Sequence, residues 1–124
     1  MTDSLNQIQE ARIENIIKES SNKIYAGMHW IKRKKLKDSY LWITKGPFSR
    51  LKPVKEKINL EFNFFWGVRP LDSSNCSFMA KMIEDCLVAH GILENDTINH
   101  VGKIIIESHK SRLKEMDYCI VKIF

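Results

Sequence analysis

The sequence lacks the features of a secreted, zinc-binding or membrane-spanning protein. Its three cysteines include no C-x-x-C pair, and an odd count fits neither a disulfide framework nor a zinc site. They are interpreted as reduced, buried residues. No run approaches the roughly 18 apolar residues of a membrane helix. The N-terminal segment has neither the basic start nor the apolar core of a secretory signal. The expected location is therefore cytoplasmic, with no membrane partner.

Catalytic groups built on histidine are also missing. No two of the four histidines have the spacing of a metal-binding helix, and no nucleophile–histidine–acid arrangement is recognisable. Internal repeats and low-complexity tracts are absent as well. With 124 residues, 44% of them hydrophobic, the chain is expected to form a single globular domain over residues 1–124, with 1–10 as a loose arm.

Charge is distributed unevenly along the chain, whose net charge is +5. Residues 29–37 carry five Lys or Arg side chains and no acid, and residues 50–57 carry four bases against one acid. Residues 69–101 hold five acids and only two bases. An acidic segment within a basic protein is the pattern expected of a metal-dependent nuclease. A polar loop–helix–loop would show the same pattern by chance.

Two segments have clear periodicity. In residues 57–66, apolar side chains alternate with polar ones, which predicts a long strand with one buried face. In residues 74–90, the apolar residues recur at helical spacing, with Ser73 or Ser74 as the N-cap and Gly91 as the stop.

The remaining elements complete an α+β pattern. Residues 29–46 are predicted to form a helix that ends at Gly46-Pro47, with Tyr40, Leu41 and Trp42 as its apolar anchors. Residues 11–19 favour a strand, although residues 5–19 also suit a helix. Two further strands are expected at 103–110 and 117–124, the last one inside the sheet. The predicted fold is a mixed sheet of about four strands with two helices packed on it.

Three acids are placed where they can meet. Asp72 follows the long strand, Asp85 shares a helix face with Lys81, and Asp96 lies in the next loop. Carboxylates from these positions suit Mg²⁺, or Mn²⁺ as a substitute, and Lys81 would offset phosphate charge. The alternative is ordinary structure, in which Lys81 and Asp85 form an ion pair, Asp72 caps a helix and Asp96 makes a turn.

The basic segment also has two interpretations. It is either a solvated helix face or a phosphate-binding surface with aromatic residues that stack on bases. The candidate DNA-binding residues are Asn22, Lys23, Tyr25, His29, Trp30, Lys32, Arg33, Lys34, Lys35 and Arg69.

Two separated motifs resemble the RusA-like Holliday junction resolvases. The first is D-S-S-N at 72–75, followed by Lys81, Asp85 and Leu87, and the second is G-I-L at 91–93 with N-D at 95–96 before Val101. The spacing of six from Asn75 to Lys81, and the segment S-N-K-I-Y-A-G-M-H-W-I-K-R at 21–33, are similar to the phage-type branch. The resemblance covers most of the chain.

This resemblance implies a homodimeric, Mg²⁺-dependent endodeoxyribonuclease that nicks four-way DNA junctions in recombination and repair, in a bacterium or a phage-infected cell. Asp72 and Asp96 would bind the metal and act in catalysis together with Lys81. Asp85 matches a motif acid that is either structural or a further metal ligand.

Two positions depart from the family pattern. Ser74 and Asn95 each stand where the family usually has Asp. Ser74 removes one charged ligand, which a hydroxyl or a water would replace with less charge, so metal affinity should fall or Asp85 should be recruited. An inactive, junction-binding relative is therefore the alternative. A small transcription regulator is a third reading, but the helix after residue 27 has no clear helix-turn-helix partner.

Overall fold

The computed structural model describes residues 8–21, 27, 29–112 and 116–124. Within these residues it shows an α+β fold in which one mixed sheet carries two α-helices, as predicted. No α-helix formed by these residues is long and apolar enough to cross a membrane. The elements, in chain order, are β1 (Gln9–Glu14), α1 (Trp30–Phe48), β2 (Ile58–Trp66), a 3-10 turn (Ser73–Cys76), α2 (Ser77–Ala89), β3 (Val101–Lys110) and β4 (Tyr118–Ile123).

The sheet has the strand order β1-β4-β2-β3. β4 is antiparallel to both β1 and β2, so the prediction that the last strand lies inside the sheet is confirmed. β2 and β3 are parallel, and Ile58 lies opposite Val101. Parallel neighbours need a crossover connection, and the 3-10 turn, α2 and the following loop provide it.

The core lies between the sheet and the helices. Alternate residues of β2, from Ile58 to Trp66, are buried, which confirms the predicted alternation. Tyr40 and Phe48 of α1 are fully buried in the same core. The three cysteines are free and buried, as interpreted from the sequence. The other fully buried large side chains are Leu60, Phe62, Phe64, Ile13, Met79, Ile83, Leu87 and Ile123.

The first strand is shifted toward the N-terminus relative to its prediction. β1 starts at Gln9, inside the expected arm, and ends at Glu14 rather than at residue 19. Asn15, with φ +56°, turns the chain out of the strand. The Gln9 side chain ties the strand start to the backbone of Lys52 by two hydrogen bonds. The start and the end of β1 thus depend on a backbone turn and on side-chain contacts, neither of which can be predicted from the apolar periodicity of the sequence.

The predicted end of α1 is wrong. The helix continues through Gly46-Pro47 to Phe48. A proline within a helix removes one backbone hydrogen bond, but here only one residue of the helix follows it. Burial of Phe48 favours the last turn, and the Ser49 N–H closes it on the carbonyls of Lys45 and Gly46. Tertiary packing therefore overrides the local stop signal.

Candidate functional site

Ser21 caps helix α2 from outside the helix. Its Oγ accepts a hydrogen bond from the N–H of Phe78 at 3.0 Å, and its side chain is buried. This bond satisfies one of the donors that a helix leaves free in its first turn. The prediction that a serine at 73 or 74 caps this helix is wrong, because those residues form the preceding 3-10 turn. The predicted stop is confirmed, since Gly91 has φ +80°.

The 3-10 turn fixes the position of Asp72. Ser73 Oγ accepts a hydrogen bond from the N–H of Ser108 on β3 at 3.1 Å, and Ser108 Oγ donates to the carbonyl of Leu71. Asp72 itself is exposed. Its carboxylate makes no hydrogen bond or ion pair with any residue for which the structure gives a position. Asp72 therefore stands beside the C-terminal end of β3.

The loop after α2 brings Asp96 back toward the helix. The N–H groups of Ile92 and Leu93 both donate to the carbonyl of Leu87, at 2.9 and 3.2 Å. Further on, the Asn95 Oδ1 accepts from the N–H of Asp96 at 2.8 Å. The Asn95 side chain therefore contacts the backbone next to Asp96.

Lys81 joins residues from the helix and this loop in one charged cluster. Its Nζ lies 2.5 Å from Asp96 Oδ2, 3.3 Å from Asp85 Oδ1 and 3.4 Å from Glu84 Oε1. The structure thus brings together three of the four residues that the sequence predicted for the site, namely Lys81, Asp85 and Asp96. If all are ionised, three carboxylates face one ammonium group, which leaves a net charge of −2.

Glu84 also belongs to the cluster, although it was not predicted as a site residue. It is only 5% exposed. Burial raises the pKa of its carboxyl group, because desolvation disfavours the charged form more than Lys81 stabilises it. Glu84 could have been identified from the sequence by its position three residues after Lys81, because residues i and i+3 share a helix face.

Asp96 and Lys81 shift each other's pKa in the expected directions. The hydrogen bond from Lys81 is the main cause of the lowered pKa of Asp96, and the same bond raises the pKa of Lys81. Both groups are therefore held in their charged forms around neutral pH. Because Lys81 is 56% exposed and Asp96 28% exposed, solvent weakens this pair relative to a buried one.

Asp72 and Asp96 are held by different parts of the fold. Asp72 is fixed next to Ser108, whereas Asp96 lies on the loop that leads to Val101. Lys81, which binds Asp96, lies over the middle of β3, where it lines a small cavity with Ile104 and Ile106. The structure shows no direct contact between the two aspartates. Ser74, the predicted replacement ligand, is exposed in the turn next to Asp72.

The carboxylates suit a divalent cation only in part. Among the residues that the structure describes, no group of three or more His, Cys, Asp or Glu side chains is arranged to hold a metal ion. Asp85 and Asp96 do converge on one point, which Lys81 Nζ occupies. Mg²⁺ needs only one or two protein carboxylates when phosphate and water complete its shell. Asp85 and Asp96 are therefore the pair of carboxylates that could hold such a cation.

The first half of α1 presents a basic, exposed surface. His29 is the N-cap, and its Nδ1 accepts from the N–H of Ile31 at 3.2 Å. Trp30 is 68% exposed and stacks on the His29 ring at 5.9 Å. The exposed cations on this part of the helix are Lys32, Arg33, Lys34 and Lys35. Their exposure meets the geometric requirement for phosphate contact.

The remaining candidates for DNA contact are less well defined. Arg69 is exposed, with φ +53°, and its backbone carbonyl accepts a hydrogen bond from Lys18. The candidates Asn22, Lys23 and Tyr25 lie outside the residues that the structure describes.

Trp42, expected as an anchor of α1, is instead 76% exposed. The predictions for Tyr40 and Leu41 are confirmed, since Tyr40 is fully buried and Leu41 packs against the core. The Tyr40 hydroxyl donates to the carbonyl of Ile17 at 2.7 Å.

Comparison with models of protein families and with curated proteins gives no match to this chain.

Proposed function

We propose that this protein is a metal-dependent endodeoxyribonuclease of the RusA-like kind, acting on four-way DNA junctions. One observation carries the proposal. The loop after α2 returns Asp96 to within 2.5 Å of Lys81, beside Asp85, so that residues from both resembling motifs form one cluster. The excess negative charge of this cluster favours a divalent cation.

The residues divide into binding and reacting groups. The exposed cations of α1 bind phosphates and position the DNA. Asp85 and Asp96 would hold Mg²⁺, with Asp72 reaching the phosphate from the other side. Bound there, the metal supplies activation of water and neutralisation of charge. Lys81 offsets the charge that develops on the phosphate.

Assembly and location follow from the same proposal. Two copies of the chain would place two sites on the two-fold symmetry of a four-way junction and make paired nicks. The proposed setting is the cytoplasm of a bacterium or a phage-infected cell, in recombination and repair.

A second candidate is a junction-binding protein without catalysis. The position of Lys81 favours it, because the Nζ lies among the carboxylates where the metal would sit. Among the described residues, Asp72 also makes no hydrogen bond or ion pair with the cluster, and Ser74 has no carboxylate. A chain with these features would keep the basic surface and lose the reaction.

Cleavage of a labelled four-way junction in Mg²⁺ and in Mn²⁺ distinguishes the two candidates. The enzyme should make paired nicks, and Asp96→Asn and Asp72→Asn should each abolish them. Glu94→Gln is the matched control, since Glu94 is an exposed acid on the same loop as Asp96. Equal cutting by wild type and both asparagine variants would refute the enzyme proposal.

Binding without cleavage would support the second candidate. It predicts that the wild type binds the junction with strong salt dependence and leaves the DNA intact in either metal. Metal-dependent nicking by pure wild type that the Asp96→Asn variant lacks would exclude this candidate.

A further inference from the structure

Trp42 is an exposed aromatic residue on a helix that buries its other large aromatics. Its side chain is 76% exposed, whereas Tyr40 and Phe48 of the same helix are fully buried. Among the residues that the structure describes, the indole makes no ring contact, cation–π contact or hydrogen bond. The indole therefore contributes little to the core, and its flat apolar face is accessible to a ligand.

The indole stands between two open grooves. One groove, of about 460 Å³, lies between the side of α1 and β1 and reaches Arg50. The other, of about 470 Å³, runs beside Lys45 and Ser49. Both grooves are lined by Trp42 and Gly46. A Cβ added at Gly46 would meet nothing within 4 Å, so the space beside the ring is open.

Unpaired cations flank the ring on both sides. Arg50 and Lys45 are exposed, and neither forms an ion pair with any part of the chain whose position is described. Arg12, which also lines the first groove, is already engaged by Glu14 at 3.1 Å and by the Tyr118 ring at 3.9 Å. The Glu14 carboxylate also lines this groove and is paired with Arg12. Among the described residues, the indole and the charges of Arg50 and Lys45 remain without such partners.

This combination selects a ligand with a flat ring and a nearby negative charge. A nucleobase attached to its phosphate has both, and stacking of bases on aromatic side chains works with any base. A protein partner fits less well, because the residues one turn away from Trp42 on the same helix are Asp38, Ser39, Lys45 and Gly46. The other apolar residues of the first groove, Ile43 and Pro47, are only partly exposed. A protein interface would need a contiguous apolar patch at its centre.

We propose that Trp42, Arg50 and Lys45 form a binding site for an unpaired nucleotide of a DNA strand. The base stacks on the indole and the phosphate contacts one of the two cations. The site extends the proposed function by adding single-stranded DNA next to the branch point to the substrate class. It contains none of the carboxylates or Lys81, so it holds whether or not the protein cuts DNA.

The test measures binding of the full chain to a fluorescein-labelled oligo-dT of ten nucleotides by anisotropy at low salt, and to a blunt duplex in parallel. Trp42→Ala should weaken oligo-dT binding about 10-fold, and Trp42→Phe should restore most of it, because stacking contributes roughly 1–3 kcal/mol per base. Duplex binding should change much less. Ile98→Ala, which also removes an exposed apolar side chain, is the control and should leave both affinities unchanged.

A pair of variants at Gly46 separates charge from bulk. Gly46→Gln and Gly46→Glu place side chains of equal size next to the indole, and Cβ is accommodated at this position. Glu should weaken oligo-dT binding several-fold beyond Gln, because it places a negative charge where the phosphate binds.

Three results would overturn the proposal. The first is equal oligo-dT affinity of wild type and Trp42→Ala, and the second is an equal loss for oligo-dT and duplex. The third is a change in sedimentation with unchanged DNA binding, which would identify Trp42 as part of a contact between copies of the chain. Failure of the junction-cleavage test leaves these outcomes unaffected, since oligo-dT binding requires no cleavage.

Discussion

The two helices of this protein use their charges in opposite ways. On α2, Lys81 is bound by Glu84 and Asp85 of the same helix and by Asp96 of the next loop. On α1, by contrast, the exposed cations Lys32, Lys34, Lys35 and Lys45 form no ion pair with any residue of the described ranges. The charged side chains of α2 thus contact one another and the next loop, whereas Lys32, Lys34, Lys35 and Lys45 of α1 are available to a partner.

The helices also differ in how they are held. In α2, six of 13 residues are buried, including the charged Glu84. In α1, four of 19 are buried, all in one stripe at intervals of four. α1 is therefore attached along a narrow line and exposes most of its surface. A helix of this kind contributes less to the core and offers more surface to a ligand than α2 does.

The largest difference is expected in stability. Leu87→Ala in α2 should lower the free energy of unfolding by about 2–5 kcal/mol, because it leaves a cavity around a fully buried position. Trp42→Ala in α1 should change it by about 0.5 kcal/mol or less, as expected for an exposed side chain. Urea denaturation of both variants measures this contrast. Similar losses would mean that Trp42 packs into the fold.

A smaller loss of stability is expected when Lys81, the cation of the cluster, is replaced. Lys81→Met should lower stability at neutral pH by about 1–3 kcal/mol, since the buried Glu84 then has no charged partner. The loss should shrink as pH falls, because a protonated Glu84 needs no cation. Lys35→Met on α1 is the control and should have no effect. Urea denaturation at pH 7 and pH 4 provides the measurement, and a pH-independent loss would contradict this account.

For DNA binding, substitutions in α1 should have the larger effect, whereas for stability those in α2 do. The double variant Lys34→Glu, Lys35→Glu should weaken junction binding on the order of 10-fold and reduce the salt slope by about 0.9 per lost phosphate contact. The same double change at Lys103 and Lys110 on β3 alters the net charge equally and serves as the control. Anisotropy titrations over a range of salt concentrations measure both. Equal effects of the two double variants would mean that only net charge matters.

The smallest expected effect is the pH dependence of the Asp96 pair. Lys81 lowers the pKa of Asp96 in the folded state, so the pair adds stability above the unfolded pKa, and this contribution disappears as pH falls through the folded pKa. The effect should be about 1 kcal/mol or less because the pair is partly exposed. The Asp96→Asn variant should therefore lose less stability than the wild type as pH falls, as measured by urea denaturation at several pH values. Glu94→Gln should behave as the wild type.

Glu84 acts in the opposite direction and at higher pH, because its pKa is raised from the ordinary value whereas that of Asp96 is lowered. Burial raises its folded pKa above the unfolded value, so its contribution to stability is present at low pH and is lost as pH rises through the folded pKa. Glu84→Gln should therefore flatten the part of the stability profile that falls with increasing pH. A comparison of the Glu84→Gln and Asp96→Asn profiles separates the two groups.

Local patterns predicted the elements but not all of their limits. The alternation that ends at Trp66 predicted β2 correctly because period two follows from the strand geometry alone. The limits of β1 and α1 were missed, since Gln9 bonds to Lys52 and the burial of Phe48 extends the helix past its stop. Those limits depend on residues that are remote in the chain.

The sequence by itself determined the strands, the helices and the acids and cations that line them, because these follow from the period and chemistry of neighbouring residues. Only the tertiary structure decided which charges meet. Asp96 contacts Lys81 because a loop folds back on α2, while Asp72 is held beside Ser108 of β3 by the turn before α2. It also decided that Tyr40 is buried and Trp42 exposed, since α1 packs on the sheet along one narrow stripe.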